Sequence, residues 1–375
     1  MKAVVATAYG PPEKYTVADV PVPRPGPGQI QVRIAAASIN PADVRLPGGD
    51  FRDVMPLAFP HVPGNDFAGT VSEVGAGVTA YQVGDEIFGQ AVPRALRAMA
   101  GATRPSLSTG SLAEYAVFEA DTQFLAHRPA GLNIEQAAAL PTIGLTARAL
   151  MATAKIQPGE TVLVIGATGG VGTAVIPLLA AAKARVIATA TDADADILRG
   201  LGADQTIGYA EAEYPSSADV AFNLTLPSDH LTAVASAIRP GGRLLTITLP
   251  VPRQEWIGRD DVRLHFVLDR DGTFGGMREV GELAVRGELP ATIGRRYTLD
   301  DGVQACVDFV RLHTTGKLVV TLLEPGQDAV VDVGQVVHAV GVDQQRVGQP
   351  RQLHQPGQAG AGSTRPMSAT TITAR

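Results

Sequence analysis

One cysteine in 375 residues leaves no internal disulfide and no multi-cysteine zinc lobe. That residue, Cys306, lies in the apolar-periodic run Gly302-Val-Gln-Ala-Cys-Val-Asp-Phe-Val310. A small buried hydrophobe is expected there, not a nucleophile. No apolar stretch reaches the roughly 20 residues needed to span a bilayer. The chain also lacks any Lys/Arg cluster and carries a net charge of −6, which argues against nucleic acid or an anionic membrane as the main partner. Met1-Lys-Ala-Val-Val-Ala6 reads as a short strand with no export signal after it, so the cytoplasm is the expected location. Aromatic residues are few, at 5%. The remaining composition, 45% hydrophobic and 18% charged, is that of a soluble chain long enough for two or three cores.

The most informative stretch runs from Thr161-Val-Leu-Val-Ile165 through Gly166-Ala-Thr-Gly-Gly-Val-Gly172 into Ala174-Val-Ile-Pro-Leu-Leu-Ala-Ala-Ala182. It reads as a buried parallel strand, a tight glycine turn and an apolar helix. Gly166, Gly169 and Gly172 are three apart, the spacing of a dinucleotide-binding turn. Gly166 lets the chain leave the strand sharply, Gly169 admits a pyrophosphate close to backbone, and Gly172 lets the helix pack on the sheet. Thr168, Gly170 and Val171 complete the cradle, and the helix start offers unpaired N–H groups to phosphate. Glycine is common here, 41 residues, so spacing alone would be weak. The strand Arg185-Val-Ile-Ala-Thr-Ala190 that follows makes a complete βαβ unit and gives the turn its context.

The chain divides by texture. Residues 1–124 alternate short strand signals with Pro- and Gly-rich loops, with strands expected at Tyr15–Val22, Gln29–Ala36, Ala68–Val74, Glu86–Gln90 and Ala113–Phe118. Residues 125–264 alternate strand and helix, beginning with helices at Ile134–Leu140 and Ile143–Thr153 on either side of Pro141. Later helices are expected at Ala193–Leu201 and Leu231–Ile238, the second ended by Arg239-Pro-Gly-Gly242, and strands at Val220–Leu224 and Arg243–Leu249. Asp261–Leu268 returns to strand character, and residues 265–323 close the fold with helices at Val280–Arg286 and Gly302–Leu312 and a strand at Lys317–Leu322. Residues 324–375, with eight glutamines and no lysine, read as a low-complexity, disordered tail. The fold class is α/β: a barrel-like β-rich catalytic domain plus a Rossmann-type doubly wound parallel sheet.

A set of motifs in order then resembles a known family. They are Ala8-Tyr-Gly-Pro-Pro12, Ser38-Ile-Asn-Pro-Ala-Asp43, Val62-Pro-Gly-Asn-Asp-Phe-Ala-Gly69, Val74-Gly-Ala-Gly77, Val83-Gly-Asp85, Gly110-Ser-Leu-Ala-Glu-Tyr115, Pro141-Thr-Ile-Gly-Leu-Thr-Ala147 and Leu201-Gly-Ala-Asp204. From Met1 to about Leu323 the chain resembles the medium-chain dehydrogenase/reductase superfamily, in its zinc-free quinone oxidoreductase branch. The resemblance implies a catalytic domain built from both chain ends around an inserted nucleotide domain, a nicotinamide cofactor, and a homodimer or homotetramer. Zinc members place a cysteine where this chain has Asn40 and a His-Glu pair where it has Asn65-Asp66. An amide cannot replace a thiolate, so no catalytic metal is expected, and Asp66 is expected as a buried, hydrogen-bonded acid.

By the same resemblance Asn40 and Asp43 lie at the cleft floor, and Thr142 and Thr146 near the nicotinamide. Some quinone oxidoreductases carry a tyrosine just after this Asn-x-x-Asp element. Here Val44-Arg-Leu-Pro47 follows, so no tyrosine acid is available, and Arg45 stands as either a substrate anchor or a solvated side chain. Three arginines in Pro93–Arg104 suggest a mobile loop at the cleft mouth. The acid position of an NAD site falls on neutral Thr189, which favours NADP, with Thr191 and Asp192 beside it and NAD as the alternative. Asp192 is expected to cap the next helix, with Asp194 and Asp196 in its first turn. The expected function is metal-independent, NADPH-dependent hydride transfer to a quinone or a related activated carbonyl or alkene. The alternatives are an enone or enoyl-thioester reductase, and a nucleotide-binding sensor or structural protein with little catalysis.

Overall fold

Fifteen strands and eight helices lie within residues 1–53, 56–91, 110–269 and 272–322, which the computed structural model describes. The expected arginine-bearing loop at 93–104 and the tail from 324 lie outside the described residues. In the first part the strands are β1 (Lys2–Val5), β2 (Thr16–Asp19), β3 (Gln29–Ser38), β4 (Asp66–Val74), β5 (Glu86–Gln90), β6 (Tyr115–Glu119) and β7 (Leu125–His127). Helix α1 (Pro41–Gly48) follows β3. It begins on a proline at its first position and ends at Gly49, whose φ of 94° is the left-handed stop that glycine supplies.

The middle part contains α2 (Ile134–Ala139), α3 (Pro141–Ala154), β8 (Thr161–Ile165), α4 (Gly170–Ala181), β9 (Arg185–Thr189), α5 (Ala195–Leu201), β10 (Gln205–Ile207), β11 (Ala218–Asn223), α6 (Thr232–Ser236), β12 (Ile238–Thr246) and β13 (Arg263–Phe266). Six of these strands form a wholly parallel sheet in the order β10-β9-β8-β11-β12-β13. Chain order reverses between β8 and β11, which opens a crevice at their carboxyl ends. Val162, Leu163 and Val164 of β8 are fully buried, as a parallel strand covered on both faces requires.

The return part supplies α7 (Met277–Val285), β14 (Ile293–Thr298), α8 (Gly302–Arg311) and β15 (Lys317–Thr321). These last strands join the first part: β15 pairs antiparallel with β3, and β14 pairs parallel with β15. The resulting sheet runs β14-β15-β3-β4-β5-β7, with β6 also on β3. Its interior is packed by Phe67 stacked on Phe118, ring centroids 4.0 Å apart, together with Ile30, Ile34 and Ile87. A separate apolar cluster carries Phe88 of this sheet and Phe124 just before β7 together with Leu150, Val162 and Val164 of the middle part, so one core runs under both sheets.

Three expectations need correction. Residues 41–48 form a helix that the sequence did not suggest. Helix α4 starts at Gly170, four residues before the expected Ala174, because the glycines themselves adopt its first turn. The segment Ile238–Gly242 does not cap a helix. It is strand: β12 opens at Ile238, pairs with Ala218, and runs through a register shift to Thr246.

Candidate active site

Sheet register builds one wall of the site. Ser38 at the end of β3 lies opposite Asp66 at the start of β4, Asp66 opposite Gln90 at the end of β5, and Val319 of β15 opposite Ser38. Polar ends of three neighbouring strands therefore meet in one row, with β15 alongside through Val319. The glycine turn after β8 faces this row across a cleft of about 670 Å³, lined by Asn40, Gln90, Thr142, Thr146, Thr168, the turn residues Gly169–Gly172, Tyr209, His313 and Lys317.

The turn has the shape a pyrophosphate cradle needs. Gly166 has φ 82°, and its N–H donates to Thr189 Oγ1 at 3.1 Å. Gly169 is the N-cap of α4, and a Cβ there would meet only Gly166 O at 3.4 Å, so the space in front of it is open. A Cβ on Gly172 would lie 2.3 Å from Ala167 O. Thr173 N bonds back to Gly169 O at 2.9 Å, closing the first turn. The N–H groups of Gly170, Val171 and Gly172 precede it and have no carbonyl one turn back, which presents donors and the positive helix end to the cleft. These features fit a dinucleotide phosphate.

The floor is a buried polar network. Asp66 is fully buried; its Oδ1 accepts from Thr142 Oγ1 at 2.6 Å, and its Oδ2 accepts from Thr142 N at 3.1 Å and Ser38 Oγ at 3.5 Å. Gln90 Nε2 donates to Thr142 Oγ1 at 2.7 Å. Lys317, only 4% exposed, sends its Nζ to Asn40 Oδ1 at 2.6 Å and Ile39 O at 2.9 Å, and lies 3.5 Å from Asp66 Oδ2. Burial pushes the Asp66 carboxyl up and the Lys317 ammonium down, while their mutual attraction opposes both shifts.

Asp43 sits behind this floor. Its Oδ2 accepts from Asn40 N at 2.8 Å and its Oδ1 from Gly64 N at 3.1 Å, so it caps α1 and ties the 61–65 loop to it. Burial pushes its pKa up to about 7; the Asn40 N–H opposes that rise and the Asp66 charge adds to it. The folded-state value lies above the ordinary 3.8, so Asp43 contributes stability that is fully present at low pH and lost as pH rises through about 7. The unfolding midpoint should therefore fall between pH 5 and pH 8 by more in the parent than in Asp43→Asn, as thermal melts across that range would show.

At the other end of the cleft, Asp194 is held by three donors: Thr191 Oγ1 at 2.5 Å, His313 Nε2 at 2.7 Å, and Thr315 Oγ1. Burial works to raise its pKa, and these donors overcome it, leaving the carboxyl below its usual range. His313 also meets Tyr209 edge-on, with ring centroids 6.4 Å apart.

Of the residues expected from sequence, Asn40, Thr142, Thr146, Gly166, Thr168, Gly169, Gly170, Val171 and Gly172 line the cleft, and Asp43 and Asp66 lie just behind it. Four are elsewhere. Arg45 points off the outer side of α1, bonded to Asp50 at 2.7 Å and over the Phe51 ring. Thr189 is fully buried, its hydroxyl used by Gly166 N and Val164 O, so it shapes the turn and offers no bond to a ribose. Thr191 is exposed and bonded to Asp194, and Asp192 is exposed. The N-cap of α5 is Asp194, not Asp192. Sequence reasoning missed Lys317, Gln90, Tyr209 and His313. Only Lys317 left a trace, as a charge opening the otherwise apolar strand Leu-Val-Val.

A GroES-like barrel carrying a dinucleotide-type parallel sheet, with the two facing each other across a cleft, defines the class. Comparison with known proteins agrees. Residues 26–129 match the alcohol dehydrogenase GroES-like domain, and residues 201–320 match the zinc-binding dehydrogenase family. The quinone oxidoreductase of Coxiella burnetii superposes with a TM-score of 0.74 at 26% identity, covering 86% of this chain and 99% of that one. The chain belongs to the medium-chain dehydrogenase/reductase superfamily. Among its relatives, the chloroplastic NADPH-dependent alkenal/one oxidoreductase of Arabidopsis thaliana is 33% identical over 57% of this chain; the match spans about half of that protein, 54%. The 2-methylene-furan-3-one reductase of Solanum lycopersicum is likewise 33% identical, with 53% of its length matched. The quinone oxidoreductase of Rattus norvegicus is 27% identical over 85% of this chain and 96% of its own length.

The second family's description implies zinc, and the residues present do not fit it. Asn40 Oδ1 is taken by an ammonium N–H, Asp66 is saturated by Thr142 and Ser38, and no thiolate or imidazole joins them. Among the described residues no group of three His, Cys, Asp or Glu side chains could hold a metal. Cys306 is buried, with its thiol pushed up by that burial and the Asp43 charge, so it offers no nucleophile. No helix among the described residues is long and apolar enough to cross a membrane.

Proposed function

We propose that this chain is a metal-independent, NADPH-dependent reductase that passes hydride to a quinone or to an activated alkene or carbonyl. The observation that carries the reading is the shared cleft: an open glycine turn on one wall and, on the other, a polar floor of Asn40, Thr142 and Lys317 with no metal-ligand set among the described residues. A reduced nicotinamide, when bound, supplies the hydride. The chain's own work is to bind the phosphates at Gly169–Gly172, to hold Asn40 and Thr142 in fixed orientation, and to place an acceptor beside them in a site with few charges. The names of the relatives, which include quinone oxidoreductases and alkenal or enone reductases, support both acceptor types.

The choice of NADPH rests on the end of β9. Thr189 is neutral and turned inward, and Asp194 has its charge covered by three donors, so neither offers an acid to a ribose 2′-hydroxyl. Asp192 and Asp196 are acids left exposed nearby, the second paired with Arg199 at 3.0 Å. Parallel titrations with NADPH and NADH, followed by loss of reduced-nicotinamide absorbance with a panel of quinones and enones, test the reading. Consumption of NADPH is the expected result. Binding without turnover across the panel would favour a nucleotide-binding sensor, and binding of neither coenzyme would end the proposal. The same reading takes the chain as a cytoplasmic homodimer or homotetramer, which light scattering at micromolar concentration checks for assembly.

A further inference from the structure

Among the described residues Lys317 is the buried cation at the cleft floor, and the hydride-transfer reading gives its charge no role. Metal-using members of the superfamily carry ligands where this chain has Asn40 and Asn65-Asp66. Here the Lys317 ammonium lies against those positions, at 2.6 Å from Asn40 Oδ1 and 3.5 Å from Asp66 Oδ2, with Ile39 O at 2.9 Å as its third partner. Its stem runs along the glycine turn: a Cβ on Gly170 would meet Lys317 Cδ at 2.8 Å and Ile143 Cγ2 at 2.9 Å. One side chain therefore touches the residue that opens α4, the floor of the cleft, and the acid that bonds the start of α3.

We propose that the Lys317 ammonium is the resident cation of this cleft, taking the place of a metal ion and acting as the positioning residue that fixes Asn40 and Asp66. Three features carry the inference. The Asp66 carboxylate accepts from Thr142 N, Thr142 Oγ1 and Ser38 Oγ, and approaches the ammonium only to 3.5 Å. Asn40 Oδ1 is held by Lys317 while its Nδ2 donates to Ser38 O at 3.3 Å, which permits one amide orientation only. Lys317 and Asp66 are both buried, so the ammonium charge there, faced by the Asp66 and Asp43 carboxylates, is weakly screened by solvent.

This proposal rests on the reductase reading for its chemical consequence. In reduction of an enone, hydride forms a C–H bond at the electrophilic carbon and the π pair moves onto the carbonyl oxygen. That oxygen then takes a proton from water, and the coenzyme leaves oxidised. The charge of Lys317, set behind the Asn40 amide, is placed to stabilise the oxygen while it is negative.

The test compares the parent with Lys317→Met and with the double variant Lys317→Met/Asp66→Asn. The single variant keeps the stem and strands a buried acid, so its melting midpoint should drop by roughly 5–10 °C, whereas the neutralised double variant should recover most of that loss. Dinucleotide affinity, read by fluorescence titration, should change less than about threefold in both, while kcat falls about 100-fold in both. A purely structural ion pair would give the opposite for the double variant: kcat returning together with stability. That result overturns the proposal, as does an undisturbed single variant or a parent that purifies with stoichiometric zinc by mass spectrometry. Should the parent bind dinucleotide but reduce nothing in the panel, the reductase reading fails instead. The melting and zinc measurements then decide by themselves whether Lys317 is the resident cation.

Discussion

Gly169→Val will keep its fold and lose its coenzyme. A side chain at 169 meets only Gly166 O, at 3.4 Å, and otherwise projects into the open cleft that the turn borders. The backbone is no obstacle either, since φ −69° and ψ 173° suit any residue. The direct cost is that of an unfavourable N-cap, about 1 kcal/mol, which lowers the melting midpoint by a few degrees. Binding is another matter. Methyl groups in front of the first N–H groups of α4 keep phosphate from two or more charge-assisted hydrogen bonds, a loss of about 3 kcal/mol or roughly 100-fold in affinity. Gly172→Val supplies the contrast: its Cβ would stand 2.3 Å from Ala167 O, so the turn and the helix must separate. Circular dichroism should show the 172 variant unfolded and the 169 variant native, with calorimetric titration silent for both. A 169 variant that binds coenzyme as the parent does would remove the turn from the phosphate site.

The second large effect is expected at Asn223, the last residue of β11. Its Nδ2 is shared by Leu226 O at 2.7 Å, Thr246 Oγ1 at 2.9 Å and Thr248 Oγ1 at 3.0 Å, and its Oδ1 accepts from Leu226 N at 2.9 Å. Ser228, fully buried, joins the same cluster through Thr248 O at 2.6 Å. Register places Asn223 beside Ile165, the residue before the glycine turn, and Leu224 and Thr225 line the cleft. Asn223→Leu keeps the volume and strands the Leu226 carbonyl and N–H. The expected loss is about 2–4 kcal/mol, seen as a lower urea midpoint with unchanged slope. Dinucleotide affinity should fall with it, because the loop that loses its anchor forms part of the cleft wall. Unchanged stability would mean that water replaces the amide, and the loop would not depend on this side chain.

How much of this was legible beforehand depended on range. The glycine turn and the alternation of strand and helix around it are local patterns, and Thr161–Ile165 appeared with the bounds its sequence suggests. Helix α1 was not legible, because Pro41-Ala-Asp-Val-Arg-Leu-Pro-Gly48 carries two prolines and no apolar period; what makes it a helix is Asp43 closing back on Asn40 N and Gly64 N. Asn40, Asp66 and Thr142 were found through the resemblance, which also suggested Thr189 as a ribose contact. The buried hydroxyl of Thr189 belongs to the turn instead. Lys317 escaped because its partners are 277 and 278 residues away, beyond any window in which spacing carries information. Arg45 was suggested by its place after the Asn-x-x-Asp element and Asp192 by its place after the second strand, and place along the chain says nothing about which side of a helix or loop meets a cleft.

The strand Lys317–Thr321 and the residues just before it have a hold on the glycine turn that their distance along the chain conceals. Gly316 N donates to Thr168 O at 2.7 Å, Gly316 and Gly169 form a parallel bridge, and two of the three donors on Asp194 come from His313 and Thr315. The nucleotide-binding half is thus not a detachable cassette. Cut out between residues 125 and 264, it would leave Thr168 O without its partner and Asp194 with one donor. Grafting this half onto another scaffold would require carrying the 313–317 hook along with it.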